Sequence, residues 1–474
     1  MTSKVSSGSM DYSHRPHKPH PRDEDLYEYV LPDLTIKQVL DAIPAHCKTV
    51  STYEGIKMWI RDWLMAYAAY RAFVFLDAAL ASTSASSLPT KVLAGTLLLS
   101  VRIFYALLQG TIGSGIWFVA HEAGHRTLTT SKTINEICGF INHSSMLIPY
   151  WAWRIVHANH HANTGHIHKD ENYIPRTRQE KGLKPLRPAP VDEFSPPLTP
   201  TSADRASLSE DEHDGSSSHS SSVTAAEDIQ IHHAIKEPSL GEWLAEYAED
   251  APIFNFVNIF IMEVFGMPLS LIINFGGQRK YPYGTSYFLP SSQLFKEKHR
   301  HLIILSNLGV AGMLAILANW IRISGWSHVW WAYFMPFLVT NFIVVMLTYL
   351  QHIDPEVPHL SEEVWTFSRG ALCTVDQSFC GPIGDWFTHN LSRYHVVHHL
   401  CSTKIPAHHL AEATEAVIPL LGRHYRFRPE KNQLKTLWQN VAACKTIANK
   451  TDPVIFNLDA NGHARAFHAK SKAD

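Results

Sequence analysis

The chain has 474 residues, a formal net charge of −2 and 30 histidines. Because positive and negative charges nearly balance, the composition excludes a protein that binds nucleic acid through a strongly basic surface. The 13 tryptophans and 17 tyrosines are numerous enough to form aromatic belts at a membrane interface. Composition therefore favours a membrane protein that binds metal.

The N-terminal stretch, residues 1–62, is polar and lacks a secretory signal, so we interpret it as a cytosolic arm. The first apolar segment, Trp63 to Ser82, is long enough to cross a bilayer and must act as its own signal anchor. We expect Arg71 and Asp77, which interrupt it, to face the bundle interior, because charges in a span are costly elsewhere. A short turn leads to a second apolar run, Val92 to Ala120, which completes a hairpin over residues 63–120.

Residues 121–300 are mostly polar and are predicted to be cytosolic. Within them, Asn135 to Trp153 is typical of an interfacial helix. Residues 186–228 are rich in Pro, Ser, Asp and Glu and are predicted to be a disordered insertion. Glu210 and His213 in this insertion match a di-iron spacing, which we interpret as chance because nothing around them would fold.

Three further apolar segments follow, Ile253 to Phe275, Leu302 to Ile321 and Val329 to Leu350. If the histidine clusters described below share one site, the number of crossings between them must be even. The last two segments satisfy this parity as a second hairpin, residues 301–351. The first contains Glu263 and Pro268 and is therefore predicted to be interfacial or re-entrant.

The resulting fold class is an all-α integral membrane protein with four transmembrane helices in two hairpins and a cytosolic helical cap. Residues 352–430 would complete the cap, and residues 431–474 would form a C-terminal tail. The large loop is richer in Lys and Arg than the opposite turns, which predicts that both termini are cytosolic. Lys470 and Lys472 resemble a dilysine signal for the endoplasmic reticulum, although a solvated basic tail is an equal alternative.

Three histidine clusters lie in the predicted cap, with spacings H-x-x-x-H, H-x-x-H-H and H-x-x-H-H. They comprise His121, His125, His157, His160, His161, His395, His398 and His399. Positions three and four apart share one face of a helix, so each cluster can direct its imidazoles towards one point. Neutral imidazole ligates iron, zinc and copper. The clusters predict a site for a pair of metal ions near the membrane surface.

The six cysteines have no CxxC spacing, so neither a disulfide framework nor a thiolate zinc site is indicated.

His121, Glu122 and His125 also fit the H-E-x-x-H pattern of zinc proteases, with Glu122 as the base. A membrane zinc hydrolase or zinc-dependent receptor is therefore an alternative, but it leaves six clustered histidines without a role. A transporter would require more charges along the spans than Arg71, Asp77 and Arg102 provide.

Histidine-rich iron sites carry out O2 chemistry, and a membrane location suits an apolar substrate. The residues alone therefore indicate a membrane oxidase, hydroxylase or desaturase.

The clusters resemble the histidine boxes of the membrane-bound fatty acyl desaturases. Further segments are similar to the microsomal delta-12 (oleate) desaturase group, namely Ser131 to Asn135, Trp153 to Ile155, His161 to Gly165, Pro175 to Thr177, Thr348 to His352 and His389 to Leu391. The resemblance covers roughly residues 37–428, apart from the insertion.

This resemblance implies a non-haem centre of two iron ions that uses O2 to desaturate a phospholipid- or CoA-linked acyl chain. The eight box histidines would be ligands, and His352 would complete the site. His389 would be an outer hydrogen-bond partner, whereas His166 and His168 would be loop histidines. Because the chain has no HPGG haem motif, cytochrome b5 and its reductase would be separate electron donors.

The chain departs from this group beside the boxes, at Ala123, at Arg126 to Leu128 and at Ala158-Asn159. Substitutions at such positions accompany divergence in product. The resemblance therefore implies delta-12 desaturation first, with an acetylenase, conjugase, hydroxylase or omega-3 desaturase as alternatives on the same scaffold.

Overall fold

The computed structural model describes residues 29–82, 87–183, 251–428 and 432–464, which are mostly helical. The helices are α1 (Ile36–Ala42), α2 (Thr52–Ala81), α3 (Leu88–His125), α4 (Lys132–Ser145), α5 (Tyr150–Asn163), α6 (Pro252–Ile273), α7 (Arg300–Ser324), α8 (Trp326–Val329), α9 (Met335–His352), α10 (Phe367–Ala371), α11 (Gly381–Phe387), α12 (His395–Cys401), α13 (Leu410–Leu421) and α14 (Gln433–Ala443). Short 3-10 turns occur at Ala45–Lys48, Gln179–Lys181, Glu297–His299, Ala407–His409 and Gly422–His424.

Strands contribute little to this fold. β1 (His359–Leu360) pairs antiparallel with β4 (Val454–Ile455), and β2 (Asp376–Gln377) pairs parallel with β3 (Phe427–Arg428). Each pair fastens a loop that follows α9 to a segment near the C-terminus. The strands therefore brace the loops between the helices of the cap.

Five helices in the described residues are long and apolar enough to cross a membrane. Four of them contain the four predicted spans: α2, α3, α7 with the turn before it, and α9 with α8 and the π-type turn Trp330–Phe334. The fifth is α6, which corresponds to the predicted interfacial segment. The expected total of four spans is therefore not confirmed by length and composition.

Helix α3 changes its surroundings along its length. Large apolar side chains in its first half are exposed, as Leu88 and Phe104 are, whereas every residue from Ser114 to Ala123 is buried. Its 38 residues extend roughly 57 Å at 1.5 Å per residue, well beyond a hydrocarbon core of about 30 Å. The C-terminal part of α3 is thus enclosed by protein rather than by lipid.

The two charged residues predicted to face inward in the first hairpin, Arg71 and Asp77, have different surroundings. Asp77 accepts a hydrogen bond from Arg102 Nε of α3 at 2.7 Å, and the Trp331 ring lies over the same guanidinium. Arg71 is exposed, so the prediction that it faces inward is wrong. A long arginine side chain can reach along the helix surface towards water, which removes the need for an inward partner.

The predicted single helix from Asn135 to Trp153 is also wrong, because the segment forms two helices, α4 and α5. Leu147 has a positive φ of 58°, and Pro149 is the N-cap of α5. Gly139 allows the two to approach, since a Cβ there would lie 2.2 Å from the Tyr150 ring. The reversal turns α5, which carries the second histidine cluster, back towards α3.

Two predicted features lie outside the described residues, and two predicted segments contain regular secondary structure. The predicted insertion, with Glu210 and His213, and the dilysine at Lys470 and Lys472 lie outside the described residues. The region assigned to the arm contains α1 and the start of α2, and the region assigned to the tail contains α14 and β4.

Helix α3 is at the centre of the bundle and packs against α2, α4 and α9. Helix α7 packs against α4 and α5, and α6 packs against α9 and α14. The main apolar core continues from these helices into α12 and α13. The ends of α3 and α9 that carry histidines are thereby held against the cap.

We predict that Arg102→Met destabilises the protein by roughly 1 to 3 kcal/mol. Loss of one partner leaves the Asp77 carboxylate uncompensated in an apolar environment, and partial exposure of the pair moderates the cost. Thermal unfolding in detergent would show a lower Tm for this variant. The exposed Lys91→Met control should change Tm little, and Asp77→Asn combined with Arg102→Met should recover part of the loss. An unchanged Tm for Arg102→Met would contradict the role of the pair.

Candidate metal centre

The first histidine cluster lies in the last turn of α3. His121 and His125 are four residues apart and therefore share a face. The helix ends directly afterwards at Arg126, which adopts a left-handed conformation with a φ of 64°. Trp117 stacks on the His121 ring with centroids 5.6 Å apart. The end of α3 thus presents two imidazoles whose positions are fixed by packing.

The second cluster occupies the last two turns of α5, with His157, His160 and His161. Gly165 follows with a φ of +69°, and a Cβ there would lie 2.6 Å from Cys373 Cβ. Its N–H donates to Asp170 Oδ2 at 2.9 Å. The glycine lets the chain turn so that Asp170 lies beneath the helix end.

The third cluster forms the short helix α12, which carries His395, His398 and His399. The Val396 N–H in its first turn donates to Asp376 Oδ1 at 2.6 Å, and the Tyr425 hydroxyl donates to Oδ2 at 2.7 Å. Burial raises the pKa of Asp376 to about 7, and these hydrogen bonds oppose the rise. Asp376 fixes the start of a helix too short to be stable alone.

The structure brings all nine predicted histidines together in two groups. In the first group, His121, His125, His157, His161 and His398 each place one ring nitrogen within 4.8 Å of the others. In the second group, the same holds for His160, His352 and His399. His395 adjoins this group, because its Nε2 lies 3.2 Å from His352 Nε2 and 3.0 Å from His399 Nε2. The rings of His161 and His399 stack at 4.1 Å and join the groups.

Outer hydrogen bonds set the orientation of two of these rings. His160 Nδ1 donates to Asp170 Oδ1 at 2.6 Å, which leaves Nε2 facing His352. The Thr164 hydroxyl donates to the His160 carbonyl and therefore accepts from His399 Nδ1 at 3.1 Å. In both rings Nδ1 carries the proton and Nε2 can ligate.

Glu122 has a position that the H-E-x-x-H pattern did not predict. Its Oε2 accepts from the Thr127 hydroxyl at 3.0 Å and from the Ala407 N–H at 3.2 Å. Its Oε1 lies 3.5 Å from His121 Nδ1 and 3.8 Å from His398 Nδ1. The carboxylate thus faces the outer nitrogens of two histidines of the first group, as an orienting partner does rather than a catalytic base.

Burial keeps five of the cap histidines neutral. Burial lowers the pKa of His395 to about 3 and, together with neighbouring imidazoles, lowers the pKa values of His157, His161, His398 and His399 well below the ordinary value. The neutral form is the one that ligates metal.

The donor set fits two metal ions. Ring nitrogens approach one another at 3.0 to 3.4 Å in five pairs, although each pair can contain only one proton donor. His398 Nε2, the ring nitrogen on the side away from Glu122, is buried without a hydrogen-bond partner. Buried polar groups are normally satisfied, so converging lone pairs of this kind are typical of a metal site.

Other histidines have different roles. His389 Nε2 lies 2.7 Å from Asp62 Oδ2, so this ring pairs with α2 rather than with either group. His166 and His168 lie in the loop after α5, as predicted.

His143, which sequence reasoning did not identify, is buried between Trp117 and Trp153 with both ring nitrogens unpartnered. Burial lowers its pKa to about 3, and no spacing signal marks it.

An apolar cavity reaches the histidines from the side of α6 and α9. Met262, Gly266 and Leu271 of α6 line it, as do Val344 and Val345 of α9. At its inner end it is lined by His121, His157, His160, His352 and His395. An apolar molecule in this cavity would therefore lie beside both groups of imidazoles.

Comparison with known proteins agrees with this geometry. The fatty acid desaturase family model matches residues 98–192 and 219–431, which is more than half of the chain. The chain belongs to the fatty acid desaturase family. The resemblance seen in the histidine boxes is confirmed, and the protein is an oxidoreductase that acts on fatty acyl chains.

Individual relatives align with nearly the whole of this chain. Delta(12) fatty acid desaturases of Mortierella isabellina and Mortierella alpina are each 34% identical over 90% of this chain and 92% of their own length. An oleate hydroxylase of Claviceps purpurea is 27% identical over 89% of this chain and 79% of its own length. The family assignment and the nine converging histidines argue against the zinc hydrolase alternative.

We predict that Asp170→Ala lowers the affinity of the desaturase for metal roughly 10- to 100-fold, because His160 loses the acceptor that orients its ring. The measurement is metal content of purified protein after titration with a competing chelator. Asp385→Asn is a control, since the Asp385 carboxylate is also buried and accepts a backbone hydrogen bond, from Phe379, but contacts none of the nine histidines. Equal metal retention in both variants would contradict the role of Asp170.

Proposed function

We propose that the protein is an acyl-lipid delta-12 desaturase that converts an oleoyl-type chain to a linoleoyl-type chain. The observation that carries this proposal is the apolar cavity that ends at the histidines of both groups. The names of the two Mortierella relatives support the position of the new double bond.

We assign the two histidine groups to two iron ions, with O2 as co-substrate. His121, His125, His157, His161 and His398 would hold one ion, and His160, His352, His395 and His399 would hold the other. Such a pair of ions supplies the redox chemistry with O2 that removal of hydrogens from an unactivated methylene requires.

The cavity residues hold the acyl chain and exclude water. Trp117 and Trp153 stack on His121 and His157, which fixes the rings and lines the inner end with apolar surface. Tyr173, whose ring stacks on His352, hydrogen-bonds to Thr348 at 2.6 Å in the cavity wall. A cavity of fixed shape would position one pair of methylenes beside the metal ligands and so determine regiochemistry.

We propose four membrane crossings, with both termini cytosolic and the protein in the endoplasmic reticulum. His160 Nε2 and His352 Nε2 lie 3.4 Å apart, so the chain between them must cross an even number of times. Helix α7 and the α8–α9 helix supply two crossings, which leaves α6 along the interface. The packing of α6 against α14 supports this placement.

Electrons would come from cytochrome b5 and its reductase, the donors that the resemblance to the membrane-bound desaturases implies. The substrate would be carried on a phospholipid or on CoA. Oxygen insertion is the second candidate outcome, favoured only by the similarity to the Claviceps oleate hydroxylase.

We expect expression in a host that makes oleate but no linoleate to yield linoleate. His398→Ala should abolish the product while the protein remains in the membrane, because His398 is fully buried among the first group. His328→Ala, at the opposite end of the bundle against Tyr70 and Phe73, should retain activity. Fatty acid analysis distinguishes the outcomes: a hydroxy, acetylenic or conjugated product would reassign the reaction.

We predict that Gly266→Leu lowers activity on 18-carbon chains roughly tenfold or more, because extra methylenes would occupy the cavity. Gly266→Ala should remain active, since its Cβ would make ordinary contacts with Val345 at 3.5 Å and Met262 at 3.8 Å. Gly312→Leu is the matched control on α7, where a Cβ meets nothing within 4 Å.

The measurement is product formed per unit of membrane protein with oleoyl and shorter chains. Full activity of Gly266→Leu on oleoyl chains would exclude this cavity as the acyl site.

A further inference from the structure

A second set of metal-ligating side chains lies apart from the nine histidines. His46 and Cys47 lie in the 3-10 turn Ala45–Lys48, between α1 and α2. His409 ends the turn before α13, and Glu412 is in the first turn of that helix. More than 360 residues of sequence separate the two pairs.

One ligand atom from each of these four residues lies within 4.8 Å of the others. His46 Nε2 is 2.9 Å from Glu412 Oε2 and 3.5 Å from Cys47 Sγ. The rings of His46 and His409 have centroids 5.6 Å apart. Zinc–ligand bonds of 2.0 to 2.3 Å place tetrahedral donor atoms about 3.3 to 3.8 Å apart, so small shifts of these atoms would complete the coordination.

We propose that His46, Cys47, His409 and Glu412 form a structural zinc site. One thiolate, two imidazoles and one carboxylate are donors typical of zinc. Four protein ligands close the tetrahedron and leave no position for a substrate, which separates this site from the proposed iron centre. A surface ion pair between His46 and Glu412 would not require a buried cysteine to converge on the same point.

The site would tie the start of the chain to the third histidine cluster. Helix α1 packs against both α12 and α13. Ala407, two residues before His409, donates its N–H to Glu122 Oε2 beside His121. A zinc ion here would hold α13, and with it α12, against the end of α3.

The cysteine spacing gave no sign of this site. Cys47 has no second cysteine nearby in sequence, and two of its three proposed co-ligands, His409 and Glu412, are more than 360 residues away. The cysteine spacing therefore indicated no thiolate zinc site, and the proposal depends on the tertiary contacts alone.

Cobalt exchange into the purified full-length protein tests the site, because a thiolate-to-cobalt charge-transfer band requires a cysteine ligand. We expect the wild-type protein loaded with Co2+ to show this band and Cys47→Ser to lose it. His409→Ala should weaken or lose the band. Cys380→Ser and His408→Ala are the controls and should keep it, since Cys380 is an exposed free cysteine and His408 lies outside the group.

His398→Ala separates this proposal from the proposed function: it should abolish desaturation yet keep the band. Should Cys47→Ser not fold, Glu412→Gln replaces it, since Glu412 is half exposed. The zinc affinity of Glu412→Gln should fall roughly tenfold or more. Removing only a hydrogen-bond partner of a metal ligand already causes a loss of that size, and Glu412 is a proposed ligand itself. Absence of the band in the wild-type protein, or its persistence in Cys47→Ser, would overturn the proposal.

Discussion

The convergence of neutral imidazoles from four distant segments is the constraint on which the rest of the structure depends. Each ring must lack a proton on the nitrogen that faces inward, and it must be buried away from water. Burying a polar nitrogen with no partner costs free energy. The surrounding structure offsets this cost. Tryptophan rings fix His121 and His157, while Asp170 and Thr164 set the protonated nitrogen of His160 and His399.

Two of the membrane helices, α3 and α9, carry histidines at their C-terminal ends and so bring them to the same site. Helix α3 has its exposed apolar side chains in its first half and its buried residues in its second, so its histidines lie beyond the lipid-facing part. Helix α9 ends at His352, which joins the second group. Two helices that arrive on the same side of the bundle can then be bridged by α5 and α12, which are too short to cross a membrane.

The sequence predicts much of this, but only what is local. Spacings of three and four residues identify eight of the nine histidines, and apolar runs identify the long helices. Contacts between distant segments left no such signal. The pairing of Asp77 with Arg102, the position of Glu122 and the approach of Cys47 to Glu412 each depend on tertiary packing. The break between α4 and α5 was missed because aromatic residues continue through Pro149 and conceal the turn.

The charge of the centre explains why carboxylates accompany the histidines. Nine neutral imidazoles contribute no negative charge, so two divalent ions would bring four positive charges into a buried site with no compensation from their ligands. Asp170 and Glu122 are the buried carboxylates that adjoin the two groups, one beside His160 and the other beside His121 and His398. Each is held by backbone N–H groups, from Gly165 and Ala407 respectively, so neither can turn away from its ring. In the proposed metal centre Glu122 would therefore offset positive charge, and its place in an H-E-x-x-H sequence does not make it the base of a hydrolase.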